Sequence, residues 1–178
     1  MEHGWLHHGT TLYDPALIVP FLVVADGRVS AGARLQCQRS LVDLAPTLLE
    51  LAGLAVPGDL DGESLAADLA RGQCRGPRVA FSELVTPLYK REAGIPMTSV
   101  RTSQEKLILH HQDEAVELYD LSSDTDETEN LSKQTPEAVN ELRAKIDVYL
   151  SGRLVAPEAT TPLPGGLENQ LKALGYLE

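Results

Sequence analysis

The chain has 178 residues, 43% of them hydrophobic, which is the length of one domain with enough apolar residues to build a core. Its 15 Lys and Arg against 26 Asp and Glu give a net charge of −11, which argues against nucleic acid as a partner. No apolar run reaches the roughly 18 residues of a membrane-spanning helix, and the N-terminus does not have the pattern of a secretory signal. Cys37 and Cys74 lie far apart, do not define a disulfide framework and leave the cellular compartment open.

The first third of the chain has the pattern of an α/β fold. The histidine-rich stretch HGWLHHGTTLYD, residues 3–14, precedes a near-continuous apolar run at Ala16–Val24. Such a run predicts a strand that is buried on both faces of a parallel sheet. The apolar spacing over Ser40–Gly53 predicts a helix with Asp43 as its N-cap and Gly53 at its end. Three shorter elements follow, namely a loop at 59–64, a helical turn at Leu65–Ala70 and a strand at Arg78–Glu83.

The second half has short strands and then a helix. Three β-prone runs are separated by short polar turns, which favours an antiparallel meander: Thr98–Arg101, Lys106–His110 and Val116–Tyr119. The acidic run Ser122–Asn130 lacks the spacing of an EF-hand and predicts a solvated loop. A helix is predicted from Thr135 to about Leu150, and a short one at Leu167–Leu174. The order predicts a parallel-type α/β portion up to about residue 85, then an antiparallel sheet with a covering helix.

Five motifs follow one another along nearly the whole chain. They are Glu2-His3-Gly4 with His8–Asp14, Leu41–Gly53, Asp61–Leu65, Ser99–Thr102 with Lys106–Ile108, and Glu117–Leu121 with Asp126–Leu131. In this order and spacing they resemble the C-terminal part of a sulfatase of the alkaline-phosphatase-like superfamily. The resemblance implies an α/β fold, with an incomplete alkaline-phosphatase-like sheet and helices followed by a small antiparallel sheet packed on a C-terminal helix. It divides the chain into part of the catalytic domain at 1–85, an antiparallel subdomain with a helix at 86–152 and an extended tail with a short terminal helix at 153–178.

The resemblance also implies a reaction, the hydrolysis of a small-molecule or sugar sulfate ester. Sulfatases use a formylglycine nucleophile, made from the Cys or Ser of a C/S-x-P-x-R motif, and a divalent cation, calcium or another, held by carboxylates. Neither Cys37 nor Cys74 lies in that motif, and the family's metal ligands precede the Glu-His-Gly element, before which this chain begins. We therefore expect a missing N-terminal segment to supply both groups, and expect the isolated chain to be inactive.

Two histidines are the candidate site residues. His8 matches the position where the family has a Lys or His that contacts the sulfate and assists the leaving oxygen, so the resemblance implies a catalytic and substrate-binding role. An imidazole suits that role because its ordinary pKa is near 6.5 and a nearby anion favours the protonated form. His3 is a candidate for the rim of the same pocket. Pro15 and Ile18 stand where the family usually has an acidic residue and Arg.

Other interpretations remain for the charged and histidine residues. His3 and His7 are four apart, a zinc-binding spacing on a helix, but neighbouring glycines oppose a helix there and no third ligand is evident. Arg101 and Lys106 flank a turn and could face an anionic substrate, although solvated strand-end charges are the more common case. The whole chain could also be an inactive fragment or binding module, or part of a related phosphodiesterase or phosphonate monoester hydrolase.

Overall fold

The computed structural model describes residues 11–84 and 97–152. The chain divides into two compact units, residues 1–148 and 149–178. The helices are α1 at Asp14–Leu17, α2 at Leu44–Leu51, α3 at Ala66–Arg71 and α4 at Pro136–Ser151, and a 3-10 turn at Leu41–Asp43 precedes α2. The strands are β1 at Ala80–Leu84, β2 at Met97–Arg101, β3 at Glu105–His110 and β4 at Val116–Asp120. Within these two ranges no helix is both long and apolar enough to cross a membrane.

The four strands form one antiparallel sheet in the order β1-β2-β3-β4. The pairing of β2 with β3 and of β3 with β4 confirms the predicted meander. The prediction succeeded because short turns join only antiparallel neighbours. The strand predicted at Arg78–Glu83 also forms, but it pairs with β2 in antiparallel orientation, with Phe81 opposite Val100. Its assignment to a parallel-type portion of the chain is therefore wrong.

The core lies on the sheet. Val100, Leu107 and Leu118 are almost completely buried at the centres of three neighbouring strands. Residues 106 to 109 of β3 are all buried, so both faces of this central strand are covered. The predicted C-terminal helix is confirmed as α4, and it buries Leu142 and Ile146 from its apolar stripe.

The buried strand predicted at Ala16–Val24 does not form. The run opens with the end of α1 and continues from residue 18 without regular secondary structure. Its side chains are exposed: Ile18 is 64%, Leu22 89% and Val24 82% accessible. A doubly buried strand needs neighbouring strands for its backbone hydrogen bonds and helices over both faces. Among the described residues no strand pairs with this segment.

The helix predicted over Ser40–Gly53 forms as the 3-10 turn and α2, but Asp43, the predicted N-cap, makes no side-chain hydrogen bond to α2 and instead closes a capping box with Ser40. The backbone N–H of Ser40 donates to the Asp43 carboxylate at 3.1 Å, and Gly53 ends the helix with φ +76°. The predicted apolar face is largely exposed, with Leu41 64% and Leu48 52% accessible, whereas Thr47 is fully buried. The helix therefore buries Pro46 and Thr47 and exposes Leu44 and Leu48.

Candidate functional site

The two candidate histidines, His3 and His8, lie outside the described residues. The same holds for the predicted terminal helix at Leu167–Leu174. We use "histidine segment" for residues 3–10. The structure describes the chain from Thr11 onward, directly after this segment, and shows how the next residues are held. The candidate site is therefore built from the residues that receive the histidine segment.

Asp14 is the centre of a buried group of charges, the Asp14 cluster, which consists of Asp14, Arg101, Lys106 and Glu127. The Asp14 carboxylate accepts hydrogen bonds from Arg101 Nε at 3.0 Å and Nη2 at 2.7 Å, and from Lys106 Nζ at 2.9 Å. Its backbone N–H donates to Glu127 Oε2 at 2.6 Å, and Lys106 Nζ lies 2.7 Å from Glu127 Oε1. Both the side chain and the backbone of Asp14 are thus held.

The charges of the Asp14 cluster balance. Two cations face two anions, and the side chains of Lys106 and Glu127 have no exposed surface. Burial by itself raises the pKa of Asp14, but the hydrogen bonds and positive charges of Arg101 and Lys106 outweigh it and hold that pKa below its ordinary value. Removing a cation or an anion of the cluster would leave an uncompensated charge in the interior.

Two expectations from the sequence are wrong at this cluster. Arg101 and Lys106 are not solvated strand-end charges, and the acidic run Ser122–Asn130 is not wholly solvated, because Glu127 is 1% exposed. One signal in the sequence pointed to this result. In the predicted meander Arg101 lies directly opposite Lys106, and two like charges in that position repel unless an anion lies between them. Asp14 is that anion.

Tyr13 is held by a second group, the Glu117 cluster, which consists of Tyr13, His110, Glu117 and Tyr119. The Glu117 carboxylate accepts from Tyr13 Oη at 2.7 Å and from Tyr119 Oη at 2.5 Å, and it lies 2.6 Å from His110 Nε2. Burial raises the pKa of Glu117, but these hydrogen bonds outweigh it and lower the pKa overall. Burial, and then the hydrogen bond to Glu117, raise the pKa of Tyr13 to about 12.

Leu12 completes the attachment. It is 2% exposed and belongs to an apolar cluster with Ile108, Tyr119 and Leu121 of the sheet region. Leu12, Tyr13 and Asp14 are consecutive, and each makes a different kind of contact: apolar packing, a hydrogen bond to a carboxylate and ion pairs. The chain leaving the histidine segment is thus fixed to the antiparallel sheet. The arrangement holds residues 12–14 in place.

The described residues do not fit the divalent cation or the nucleophile. In residues 11–84 and 97–152 there is no group of three or more His, Cys, Asp or Glu side chains that could hold a metal ion. Cys37 and Cys74 form a disulfide, so neither sulfur is a free nucleophile. This pairing corrects the view that the two cysteines define no disulfide. Their separation of 37 residues hid it, because only the fold brings them together.

Comparison with known proteins identifies the family. The family model described as N-sulphoglucosamine sulphohydrolase, C-terminal, matches residues 1–152. The chain belongs to this sulfatase family. Arylsulfatase K of Mus musculus is 30% identical to this sulfatase chain over 151 residues, which cover 82% of the chain and 27% of the mouse protein. The sulfatase chain thus spans about a quarter of the length of the curated relatives that it matches.

Solved sulfatase structures resemble the chain as well. The structure of a 2-O GAG sulfatase matches with a TM-score of 0.54 and 33% identity, over 61% of this chain and 24% of that one. A second structure, solved in complex with its substrate D-glucosamine-2-N,6-O-disulfate, matches with a TM-score of 0.52 and 26% identity, over 66% of this chain and 25% of that one. The sulfatase resemblance and the α/β fold class predicted from the motifs are confirmed, with a four-stranded antiparallel sheet and helices in this part of the fold.

Proposed function

We propose that this chain is the C-terminal part of a sulfatase that hydrolyses sulfate esters of sugars, and that preceding polypeptide supplies the formylglycine nucleophile and the divalent cation. The observation that carries the proposal is the family match over residues 1–152. The substrate class follows the family description and the related structure that holds a glucosamine disulfate. The boundary between the catalytic part and the antiparallel subdomain belongs to the same proposal and precedes β1, because Ala80–Leu84 pairs with β2.

The exposed apolar residues support a larger parent protein. Segment 18–24, the 3-10 turn and helix α2 expose many large apolar side chains, namely Ile18, Val19, Phe21, Leu22, Val24, Leu41, Leu44 and Leu48. Large exposed apolar patches on soluble proteins mark surfaces that pack against something else. About three quarters of the length of such a relative lies outside the matched part, since the match covers 27% of the mouse protein. In the proposed enzyme the catalytic part covers these side chains.

His8 is the residue of this chain that we assign to catalysis, with His3 at the rim of the pocket. A protonated imidazole next to a sulfate group donates a hydrogen bond and a proton to the leaving oxygen. His8 lies six residues before Asp14 in the sequence. The contacts of Leu12, Tyr13 and Asp14 fix the point at which the histidine segment joins the sheet. Fixing that point favours a constant position for a substrate-contacting side chain.

The experiment begins with the gene. The sequence upstream of the Met1 codon is read for an in-frame C/S-x-P-x-R motif and an Asp-His or Asp-Asn pair. The longest product is then expressed with formylglycine maturation, loaded with calcium, and assayed for sulfate release from glucosamine 6-sulfate and an aryl sulfate. His8→Ala is compared with His111→Ala, and melting temperatures show whether each variant is folded. We expect His8→Ala to lower kcat roughly 10²-fold or more and His111→Ala to leave it nearly unchanged.

Three outcomes count against the proposal. The first is no sulfate release by the matured, metal-loaded protein. The second is faster turnover of a phosphate diester or phosphonate monoester than of any sulfate ester, which would support the related phosphohydrolase. The third is sulfate release by the 178-residue chain alone, which we expect to be inactive at every metal concentration.

A further inference from the structure

We infer that the Cys37–Cys74 disulfide and Gln38 position the Asp14 cluster through Arg101, so that the contacts that hold Asp14 depend on the redox state of the two cysteines. Any effect on catalysis rests on the proposed function. The coupling between the disulfide and the Asp14 cluster does not, since all of its residues are described in the structure. Gln38 and Arg101 are positioning residues, because neither has an assigned contact with the substrate.

Three consecutive residues of one loop are each committed to a different partner. Cys37 is bonded to Cys74, with a Cα–Cα distance of 6.3 Å. Gln38 Oε1 accepts a hydrogen bond from Arg101 Nη1. Arg39 pairs with Asp68 of α3 at 2.5 Å. The disulfide and the ion pair thus hold the loop on both sides of Gln38.

Ion pairs of Asp68 join the same two segments as the disulfide. Its side chain is 1% exposed and binds Arg39 Nη2 on one oxygen and Arg75 Nε, at 2.6 Å, on the other. Arg75 directly follows Cys74, so the carboxylate joins the same two segments as the disulfide. Burial raises the pKa of Asp68, but the two arginines outweigh it and lower the pKa overall. The covalent and ionic supports act in parallel, so breaking one of them loosens the loop without detaching it.

The link from this loop to Asp14 is a short path of hydrogen bonds. Gln38 binds the Arg101 guanidinium, which also makes a bidentate contact with the Asp14 carboxylate through Nε and Nη2. A fixed Gln38 therefore limits the rotation of the Arg101 side chain and favours the orientation that Asp14 requires. Asp14 then holds its backbone N–H against Glu127.

The redox step is an ordinary thiol–disulfide exchange. A dithiol reductant attacks one sulfur, and the net reaction breaks the Cys37–Cys74 bond to give two thiols while the dithiol closes to its own disulfide. Two electrons and two protons pass from the reductant to the cysteines. Both cysteines are partly exposed, so a small dithiol can reach them. The full support is present only under oxidising conditions, such as those outside the cytosol.

The test is hydrogen exchange with mass spectrometry on the intact protein that carries this chain, before and after treatment with dithiothreitol. Alkylation of both thiols confirms the reduction. We expect exchange in peptides covering residues 11–17 to become about five-fold faster, while peptides from α4 change less than about two-fold. The variant Gln38→Ala, which keeps the disulfide, should show the faster exchange at 11–17 already in its oxidised form. Gln36→Ala, the same substitution at a nearby exposed position, should exchange like the natural protein.

Each remaining outcome overturns the inference. Equal acceleration in 11–17 and α4 on reduction would mean that the disulfide only stabilises the protein as a whole. Unchanged exchange at 11–17 after complete reduction, or in oxidised Gln38→Ala, would mean that the loop does not support the Asp14 cluster. None of these measurements uses sulfate turnover, so they stand or fall independently of the proposed enzyme activity.

Discussion

The antiparallel sheet and the segment from residue 18 to residue 60 bury opposite kinds of side chain. The sheet buries leucine and valine at its centre, and its buried charges, such as Lys106, have charged partners. The 18–60 segment buries Asp43 and Thr47 and exposes most of its large apolar residues. The sheet thus has a core within the described chain. The other segment is held largely by polar contacts, and most of its large apolar side chains are exposed.

The polar contacts of the 18–60 segment are specific. Thr47 Oγ1 donates to the backbone carbonyl of Asp43 at 2.5 Å and accepts from the N–H of Leu65 at 2.9 Å. The Asp43 carboxylate accepts from the N–H of Glu63 at 3.0 Å and lies 3.3 Å from Arg78. Hydrogen bonds to buried backbone groups hold neighbouring segments in place without an apolar core. We infer that this segment keeps its shape while its leucines face outward, which suits a surface that packs against the rest of a larger enzyme.

The largest effect is expected at Lys106. Lys106→Met removes the shared cation of two buried carboxylates, Asp14 and Glu127, and should lower the free energy of unfolding by about 3–5 kcal/mol. Urea denaturation measures the change. Lys145→Met provides the control, because Lys145 pairs with Glu141 on the exposed side of α4 and should cost less than about 0.5 kcal/mol. Similar losses in the two variants would show that the buried cluster contributes no more to the free energy of unfolding than an exposed ion pair.

A smaller loss is expected from Gly62→Ala. A Cβ at Gly62 would lie 2.0 Å from the backbone carbonyl oxygen of Val42, so the 59–64 loop must move away from the turn before α2. We expect a loss of roughly 1–3 kcal/mol in the free energy of unfolding. Gly58→Ala is the matched control, since nothing lies within 4 Å of its Cβ position. If both variants unfold at the same urea concentration, the close approach of these two loops does not stabilise the segment.

Acid should destabilise the sheet and the ion pairs of α3. The pKa values of Asp14 and Glu117 at the sheet, and of Asp68 outside it, are lowered in the folded protein. The unfolded chain therefore binds more protons, and the stability that these groups contribute is present above about pH 4 and is lost as pH falls through the lower folded values. Urea unfolding at pH 7 and pH 3 measures the loss. Asp68→Asn should be less stable at pH 7 and lose less on acidification; a pH dependence equal to that of the natural chain would contradict the assignment.

The smallest effect is expected at the exposed apolar residues. Leu22→Ser should change the free energy of unfolding by less than about 0.5 kcal/mol, since Leu22 is 89% exposed, and should raise the solubility of the isolated chain. Leu107→Ala, in the buried sheet, should instead cost roughly 2–5 kcal/mol. In the complete enzyme that we propose, Leu22→Ser should become destabilising, because the same side chain is then covered. Equal effects in the isolated chain would remove the contrast between the two regions.

Local sequence determined much of the secondary structure and the family. The Ser40–Asp43 capping pattern and Gly53 set the ends of the helix, since capping groups and positive φ act within a few residues. The short polar turns set the meander, and the order of the five motifs identified the sulfatase family. The roles of His3 and His8 remain predictions of the sequence.

Only the tertiary structure decided which faces are covered and which charges are paired. Periodicity tells which side chains of α2 share a face, but not which face meets the protein, so the outward leucines could not be foreseen. The Ala16–Val24 run has the composition of a buried strand, yet composition cannot supply the neighbouring strands. Lys106 pairs with Asp14 although 92 positions separate them in the sequence, and Cys37 bonds to Cys74 across 37 positions. Such pairings form only because the fold brings residues that are distant in sequence close together.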